Sequence, residues 1–244
     1  MDKLPKDVLY TLALELDLPN LLRWCESHPS INNKVCNNPN VWTGKLLRDF
    51  PDYKNFYLNK SFREIYNYLY RLTKVKEKLK MKESIYEIFL MDQFKLDNKR
   101  LKTLPDLDLP NLQKLNLSSN ELKTLPKLNL PNLVELYVAN NQLQKLPELN
   151  LPNLNKLYLR ANNLRNLPKL NLPNLTQLSL RENRFTKLPE LNLPKLQSLD
   201  LSANEFDSLP IFNFPDLKSL NMKDNQLPER EKIIIKKKYS TVRV

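Results

Sequence analysis

Residues 104–124 read LPDLDLPNLQKLNLSSNELKT, and residues 125–145 read LPKLNLPNLVELYVANNQLQK. The same 21-residue period begins again at Leu146, Leu167, Leu188 and Leu209, so six copies follow one another with almost no drift. Each copy carries the frame LxxLxLxxNxL, as in Leu112, Leu115, Leu117, Asn120 and Leu122. Apolar residues alternate in Leu115-Asn116-Leu117, which predicts a short strand with one buried face. Later copies fill the second apolar place with Val138, Leu159, Leu180, Leu201 and Met222. No single copy can bury its leucines alone, so neighbours must stack and share a continuous core.

The polar and proline columns complete the coil. Asn120, Asn141, Asn162, Asn183, Asn204 and Asn225 fall where the chain leaves the strand. There a side-chain amide can bond backbone groups that the sheet no longer pairs. Two prolines per copy, as in Pro105 and Pro110, fix φ and remove amide donors from the return segment. That predicts an extended or polyproline-like convex side rather than a helix. Frame and period together resemble the leucine-rich repeat family, whose copies run about 20–29 residues. The expected fold is an α+β, or α/β, solenoid with short parallel strands behind a helical N-terminal region.

One period before Leu112 a degenerate copy can be traced through Met91, Phe94, Leu96 and Leu101, with Lys99 in place of the Asn. Such a copy suits the end of an array. The expected organisation is a helical domain over residues 1–50, a helical connector over 51–90, the repeats over 91–228, and a cap or tail over 229–244. The tail is expected to fold over the last coil and to leave Lys236 to Lys238 in solvent.

The net charge of +12 raises the question of nucleic acid, and its location answers against it. Residues 1–50 carry six basic and six acidic side chains, and the repeats over 104–228 carry fourteen and twelve. The excess lies in residues 51–103 and in the tail. A near-neutral array is a poor groove for a phosphate backbone. The run Lys74, Lys76, Lys78, Lys80 and Lys82 reads as a solvated helix face. No apolar run approaches a membrane span, and MDKLPKDVLY lacks the apolar stretch of a signal peptide. With no export signal, Cys25 and Cys36 are expected as thiols rather than as a disulfide framework.

Helical spacing appears in Val8, Leu9, Leu12 and Leu16 and again in Leu18, Leu21 and Leu22, with Pro5, Pro19 and Pro39 at helix starts or breaks. In order, Leu4-Pro5, Asp7-Val8-Leu9, Leu12, Asp17-Leu18, Leu21-Leu22, Val41-Trp42 and Leu46 resemble the F-box. That resemblance implies docking on the Skp-type adaptor of a cullin-based ubiquitin ligase, with the repeats capturing a target protein. The adaptor-binding set it implies is Leu4, Pro5, Asp7, Val8, Leu9, Leu12, Leu18, Leu21, Leu22 and Trp42. The family's Val-Cys-x-x-Trp segment is replaced here by Ser27-His28-Pro29-Ser30-Ile31. The phrase INNKVCNNPNVW is also similar to F-box-like modules of giant DNA viruses. The expected location is cytoplasmic and not secreted, with the cytoplasm or nucleus of a host cell as the setting the viral resemblance implies. The alternative is a repeat scaffold or blocking protein with no part in ubiquitin transfer.

After the box, Ser61-Phe62-Arg63-Glu64 has the spacing of a capping box, and Phe62, Ile65, Leu69, Leu72 and Leu79 continue an apolar face. Gly44 is the only glycine and His28 the only histidine. Glycine-rich phosphate loops and the usual two-Cys, two-His zinc site are therefore excluded. No enzyme, metal or cofactor is expected, and alone the chain is expected to be monomeric. Binding is expected on the concave face, where alternation turns the residues beside the strand leucines outward. At about 4.8 Å per strand, seven rungs span roughly 30 Å, enough for a protein epitope. The candidate residues are Lys114, Glu135, Tyr137, Lys156, Tyr158, Arg160, Gln177, Arg181 and Asp200. Tyrosine and arginine, which most often anchor interfaces, cluster at Tyr137, Tyr158, Arg160 and Arg181.

Overall fold

The computed structural model describes residues 5–28, 32–56, 58–208, 214–238 and 242–243. It divides into two compact units, Met1–Phe89 and Leu90–Val244.

The first unit is helical. Helices α1 (Lys6–Glu15), α2 (Leu18–Ser27), α3 (Pro39–Asp49), α4 (Phe62–Leu79) and α5 (Ile85–Leu90) are joined by a π-turn (Asn32–Cys36) and a 3-10 turn (Tyr53–Phe56). Asp17 caps α2 by accepting from the Asn20 amide, and Asn38 caps α3 through the Asn40 amide. The capping box at α4 forms: Ser61 Oγ accepts from the Glu64 amide, and the Glu64 carboxylate accepts from the Ser61 amide. Ile65, Leu69 and Leu72 are buried on the expected face, while Phe62 stays 39% exposed. Tyr66 and Tyr68 are also buried, so the tyrosines of α4 are largely packing rather than surface. Lys74, Lys78, Lys80 and Lys82 are exposed, as a solvated face requires.

Gly44 is used where α1 and α3 touch. A Cβ there would lie 3.0 Å from Leu14 Cδ2. The next residue, Lys45, is fully buried, and its Nζ donates to the backbone oxygens of Leu14 (3.1 Å) and Leu16 (2.6 Å). The ammonium thus closes the open C-terminal end of α1, where carbonyls lack helical partners and the dipole favours a cation. Burial pushes the Lys45 ammonium down from its ordinary value, and Asp49 at 3.9 Å partly opposes this. Tyr66 donates to Asp49 at 2.5 Å, and burial together with that bond pushes its phenol up.

Cys25 and Cys36, expected as thiols, are instead joined as a disulfide between α2 and the π-turn, with Cα atoms 6.1 Å apart. Helical spacing alone carried no information that α2 and the π-turn bring the two side chains face to face. His28 closes α2, with Nδ1 beside Ser27 Oγ and the Trp24 carbonyl, so it is held at a helix end. Pro29, Ser30 and Ile31 of the divergent box segment lie outside the described residues.

The second unit is the stack. Strands β1 (Gln93–Lys95), β3 (Lys114–Asn116), β5 (Glu135–Tyr137), β6 (Lys156–Tyr158), β7 (Gln177–Ser179), β8 (Ser198–Asp200), β9 (Ser219–Asn221) and β10 (Val242–Arg243) form one parallel sheet in that order. Pairing keeps the period without slip: Leu115, Leu136, Leu157, Leu178, Leu199 and Leu220 are successive partners. Leucines of the third copy show the core, for Leu151, Leu154, Leu157, Leu159 and Leu164 are each at most 1% exposed. Each such side chain contributes roughly 1.5–3 kcal/mol on burial. On the opposite side β2 (Leu107–Asp108) pairs with β4 (Leu128–Asn129), and among the described residues no helix lies between Leu90 and Pro228. The convex side is therefore extended, as two prolines per copy dictate.

The asparagine column is satisfied on all sides. Asn162 Nδ2 donates to the carbonyls of Val138 (2.9 Å) and Leu159 (3.0 Å), and its Oδ1 accepts from the Leu143 amide (3.0 Å). Just before it, Ala161 holds φ at 53°, and Ser119, Asn140, Glu182, Ala203 and Asp224 repeat that left-handed turn without a glycine. In the terminal copy Lys99 cannot make these bonds; Asn120 of the next copy instead accepts from the Lys99 and Leu101 amides. Phe94 pairs in register with Leu115 and is buried. At the other end the tail forms α6 (Glu229–Lys238) and supplies β10 beside β9. Ile235 is buried there, but Ile233 and Ile234 are about half exposed, so the apolar run buries one side chain and not three.

Candidate concave binding face

Alternation in each strand leaves the outward columns as expected. The first runs Lys114, Glu135, Lys156, Gln177, Ser198 and Ser219, and the second runs Asn116, Tyr137, Tyr158, Ser179, Asp200 and Asn221. Their centre is tightly bonded. Glu135 receives Lys114 Nζ at 3.0 Å, Lys156 Nζ at 2.8 Å and the Tyr137 hydroxyl at 2.8 Å. Tyr137 and Tyr158 stack with ring centroids 4.9 Å apart and planes 10° apart, and Lys114 lies over the Tyr137 ring at 5.1 Å. The Tyr158 hydroxyl donates to Gln177 Oε1 at 2.6 Å.

Charge on this ridge is shared within it. The hydrogen bond from Lys156, then those from Tyr137 and Lys114, hold the Glu135 carboxyl down to about 2. Burial, then the bond to Glu135, pushes the Tyr137 phenol up to about 12. A phenol so raised stays protonated at neutral pH, so its hydroxyl remains a hydrogen-bond donor there. Arg160 Nη2 and Arg181 Nε converge on Glu182 Oε1 at 3.2 and 2.9 Å. Burial raises the Glu182 carboxyl, but the bonds from Arg181 and Arg160 outweigh it and leave it lowered. Asp200 accepts from its neighbour Ser202, at 2.6 Å from Oγ and 3.0 Å from the amide. Glu182 was not legible as a site residue, because it sits beyond the strand in the left-handed turn. The signal available was its place beside Arg181 and one copy after Arg160, in a column where only Asp224 is also acidic.

The Glu135 cluster carries a pH dependence. Its folded value lies below the ordinary carboxyl value of 4.5, so its contribution is fully present above that value and is lost as pH falls toward about 2. The melting temperature of the protein is expected to fall more steeply between pH 4.5 and 2 than that of Glu135→Gln. Parallel curves for the two proteins would show that Lys114, Lys156 and Tyr137 gain nothing from the charge.

The set taken from the F-box resemblance divides by burial. Leu9 (1% exposed), Leu18, Leu21 (0%) and Trp42 (2%) are buried in the helical unit's own core. Trp42 donates from Nε1 to the Cys36 carbonyl at 2.7 Å, and the Arg63 guanidinium lies over its ring. A 3.6-residue period marks apolar positions without telling an inward stripe from one waiting for a partner. Pro5, Asp7, Val8 and Leu12 are exposed, and Leu22 is half-buried. Leu4 lies outside the described residues.

Two family models match the chain: one described as Leucine Rich repeats (2 copies), at residues 131–172 and 173–211, and one described as Leucine Rich Repeat, at residues 111–133. Among curated proteins none matches. Among solved structures the chain is similar to the leucine-rich repeat domain of a Shigella effector, at 28% identity and TM-score 0.53, over 72% of this chain and 95% of that one. It is similar also to YopM, a leucine-rich effector protein of Yersinia pestis, at 29% identity and TM-score 0.49, over 66% of this chain and 55% of that one. A leucine-rich repeat protein of Leptospira interrogans is 30% identical with TM-score 0.46, over 60% of this chain and 46% of that one. The chain thus spans nearly all of the Shigella domain and about half the length of the other two. No helix among the described residues is long and apolar enough to cross a membrane.

Proposed function

From a chain whose second unit is a leucine-rich repeat array, we propose a non-enzymatic protein receptor that holds a target protein across its concave sheet. The observation that carries this reading is the stacked Tyr137–Tyr158 pair, fixed between Glu135, Lys114 and Gln177. Aromatic side chains already held in place contribute large contact area at low cost in conformational entropy. Arg160 and Arg181 extend the patch with side chains 49% and 42% exposed. A solved relative named as the leucine-rich repeat domain of an effector is consistent with a chain that acts by binding.

The test is affinity for the target identified by mass spectrometry with the purified full chain. Tyr158→Ala combined with Arg160→Glu is expected to weaken that affinity at least tenfold, about 1.4 kcal/mol, with the far-ultraviolet spectrum unchanged. Unaltered affinity would move the site off this face.

A finer reading makes the helical unit the dock for a Skp-type adaptor of a cullin-based ubiquitin ligase, so that captured targets are positioned for ubiquitin transfer. It is favoured by Val8 and Leu12, four residues apart on α1 and 38% and 42% exposed beside Pro5 and Asp7. Deleting residues 1–50 would strip α3 from α4, so the decisive variant is Val8→Glu with Leu12→Glu in the full chain. Adaptor and cullin should accompany the unchanged protein and be absent from that variant. If neither accompanies the unchanged protein, the ligase reading fails and the receptor reading stands.

A further inference from the structure

Arg160 and Arg181 already share the Glu182 carboxylate. A different set of cations lies on the edge where the chain leaves the strands. Lys145, Arg165 and Arg184 line one open groove of about 670 Å³ together with Gln144, Asn163 and Asn166. All three cations are exposed, and among the described residues none forms an ion pair or a side-chain hydrogen bond. No carboxylate lines the groove. In the columns of Arg184 and Arg165 the acids resume only with Glu205 and Asp207 in the following copy and with Glu121 at the first.

Three unpaired cations converging on one groove repel each other until an anion enters. Guanidinium forks match the oxygens of a phosphoryl group two at a time, and neighbouring amides add neutral donors. The cluster spans three copies, roughly 10 Å at the spacing of paired strands. That fits one dianionic group better than a polymer, which would need cations along many rungs of an array that is near neutral. The copies that carry the tyrosine stack also supply Lys145 and Arg165.

We infer that this groove takes the phosphoryl group of a phosphorylated serine or threonine on the protein held by the concave face. The inference rests on that face being a protein-binding one. A phosphoserine brings a charge of about −1.5 to −2 at neutral pH, whereas an unmodified hydroxyl brings none. Phosphorylation of the partner would then switch its capture on.

The test uses the full chain and two degenerate peptide pools, identical except for one central phosphoserine, read by fluorescence anisotropy. The phosphorylated pool is expected to bind at least tenfold more tightly. Arg165→Gln with Arg184→Gln should abolish that preference without moving the melting temperature, since neither side chain has an internal partner. Arg160→Gln with Arg181→Gln should keep it. Equal binding of the two pools, or a preference that survives the Arg165 and Arg184 changes, would overturn the inference. So would single-stranded RNA that outcompetes the phosphorylated pool and depends on the same pair. Tyr158→Ala separates the two readings: a preference retained while both pools weaken supports the groove and the face together. If both pools bind Tyr158→Ala unchanged and the preference persists, the groove stands and the concave reading alone falls.

Discussion

Asn162→Ala is expected to destabilise the repeat unit by about 3 kcal/mol, since each buried group left without its partner costs roughly 1–3 kcal/mol. The amide serves the Leu143 N–H and the Val138 and Leu159 carbonyls at once, and Asn162 is only 7% exposed. Alanine leaves the buried Leu143 N–H unpaired and takes one of two donors from each carbonyl, since Val138 keeps Asn141 at 3.3 Å and Leu159 keeps Asn183 at 3.0 Å. Chemical denaturation of the full chain gives the measurement. Asn225→Ala removes the same kind of bonds at the last described copy, where the site is only part-buried, and should cost clearly less. Equal losses at the two positions would mean that water reaches the central column and that burial is not what makes it matter.

In the helical unit the corresponding change is Lys45→Met, expected to lose about 2–3 kcal/mol. Leu14 and Leu16 would lose the donor to their carbonyls, and Asp49 a cation at 3.9 Å. Relief from burying an ammonium offsets part of this, which keeps the figure below the sum of the separate bonds. Both tryptophans, Trp24 and Trp42, lie in this unit, so their fluorescence reports its melting separately from the repeats. A variant as stable as the parent would show that the end of α1 does not depend on Lys45.

Much of the stack was readable from residues alone because its rules are local. The alternation of Leu115-Asn116-Leu117 fixes which side chains point outward, and the constant period fixes which ones stand side by side. Tyr137 beside Tyr158 followed from spacing. That the two rings stack, and that Glu135 gathers two lysines and a phenol, depends on rotamers that no period encodes. Beyond the strand the frame says less: Glu182 and the cations Lys145, Arg165 and Arg184 lie in turns whose side chains meet only once neighbouring copies are laid together. Among the helices the difficulty was different. Leu9, Leu18, Leu21 and Trp42 have the pattern of a docking motif and the burial of an ordinary core. Lys45 falls in an amphipathic pattern where charge reads as solvent-facing, and it is buried because α1 ends against it.

The asparagine bonds define what a copy is. Asn162 belongs by sequence to one period, yet it completes the turn of the period before it through Leu143 and Val138. A duplication or excision of 21 residues, begun at any point, therefore returns every donor to an equivalent acceptor, whereas a change of 20 or 22 leaves the seam mismatched. Lineages of such a gene can lengthen or shorten the array by unequal exchange at whatever point recombination happens to strike, and selection is left to act on the outward columns alone.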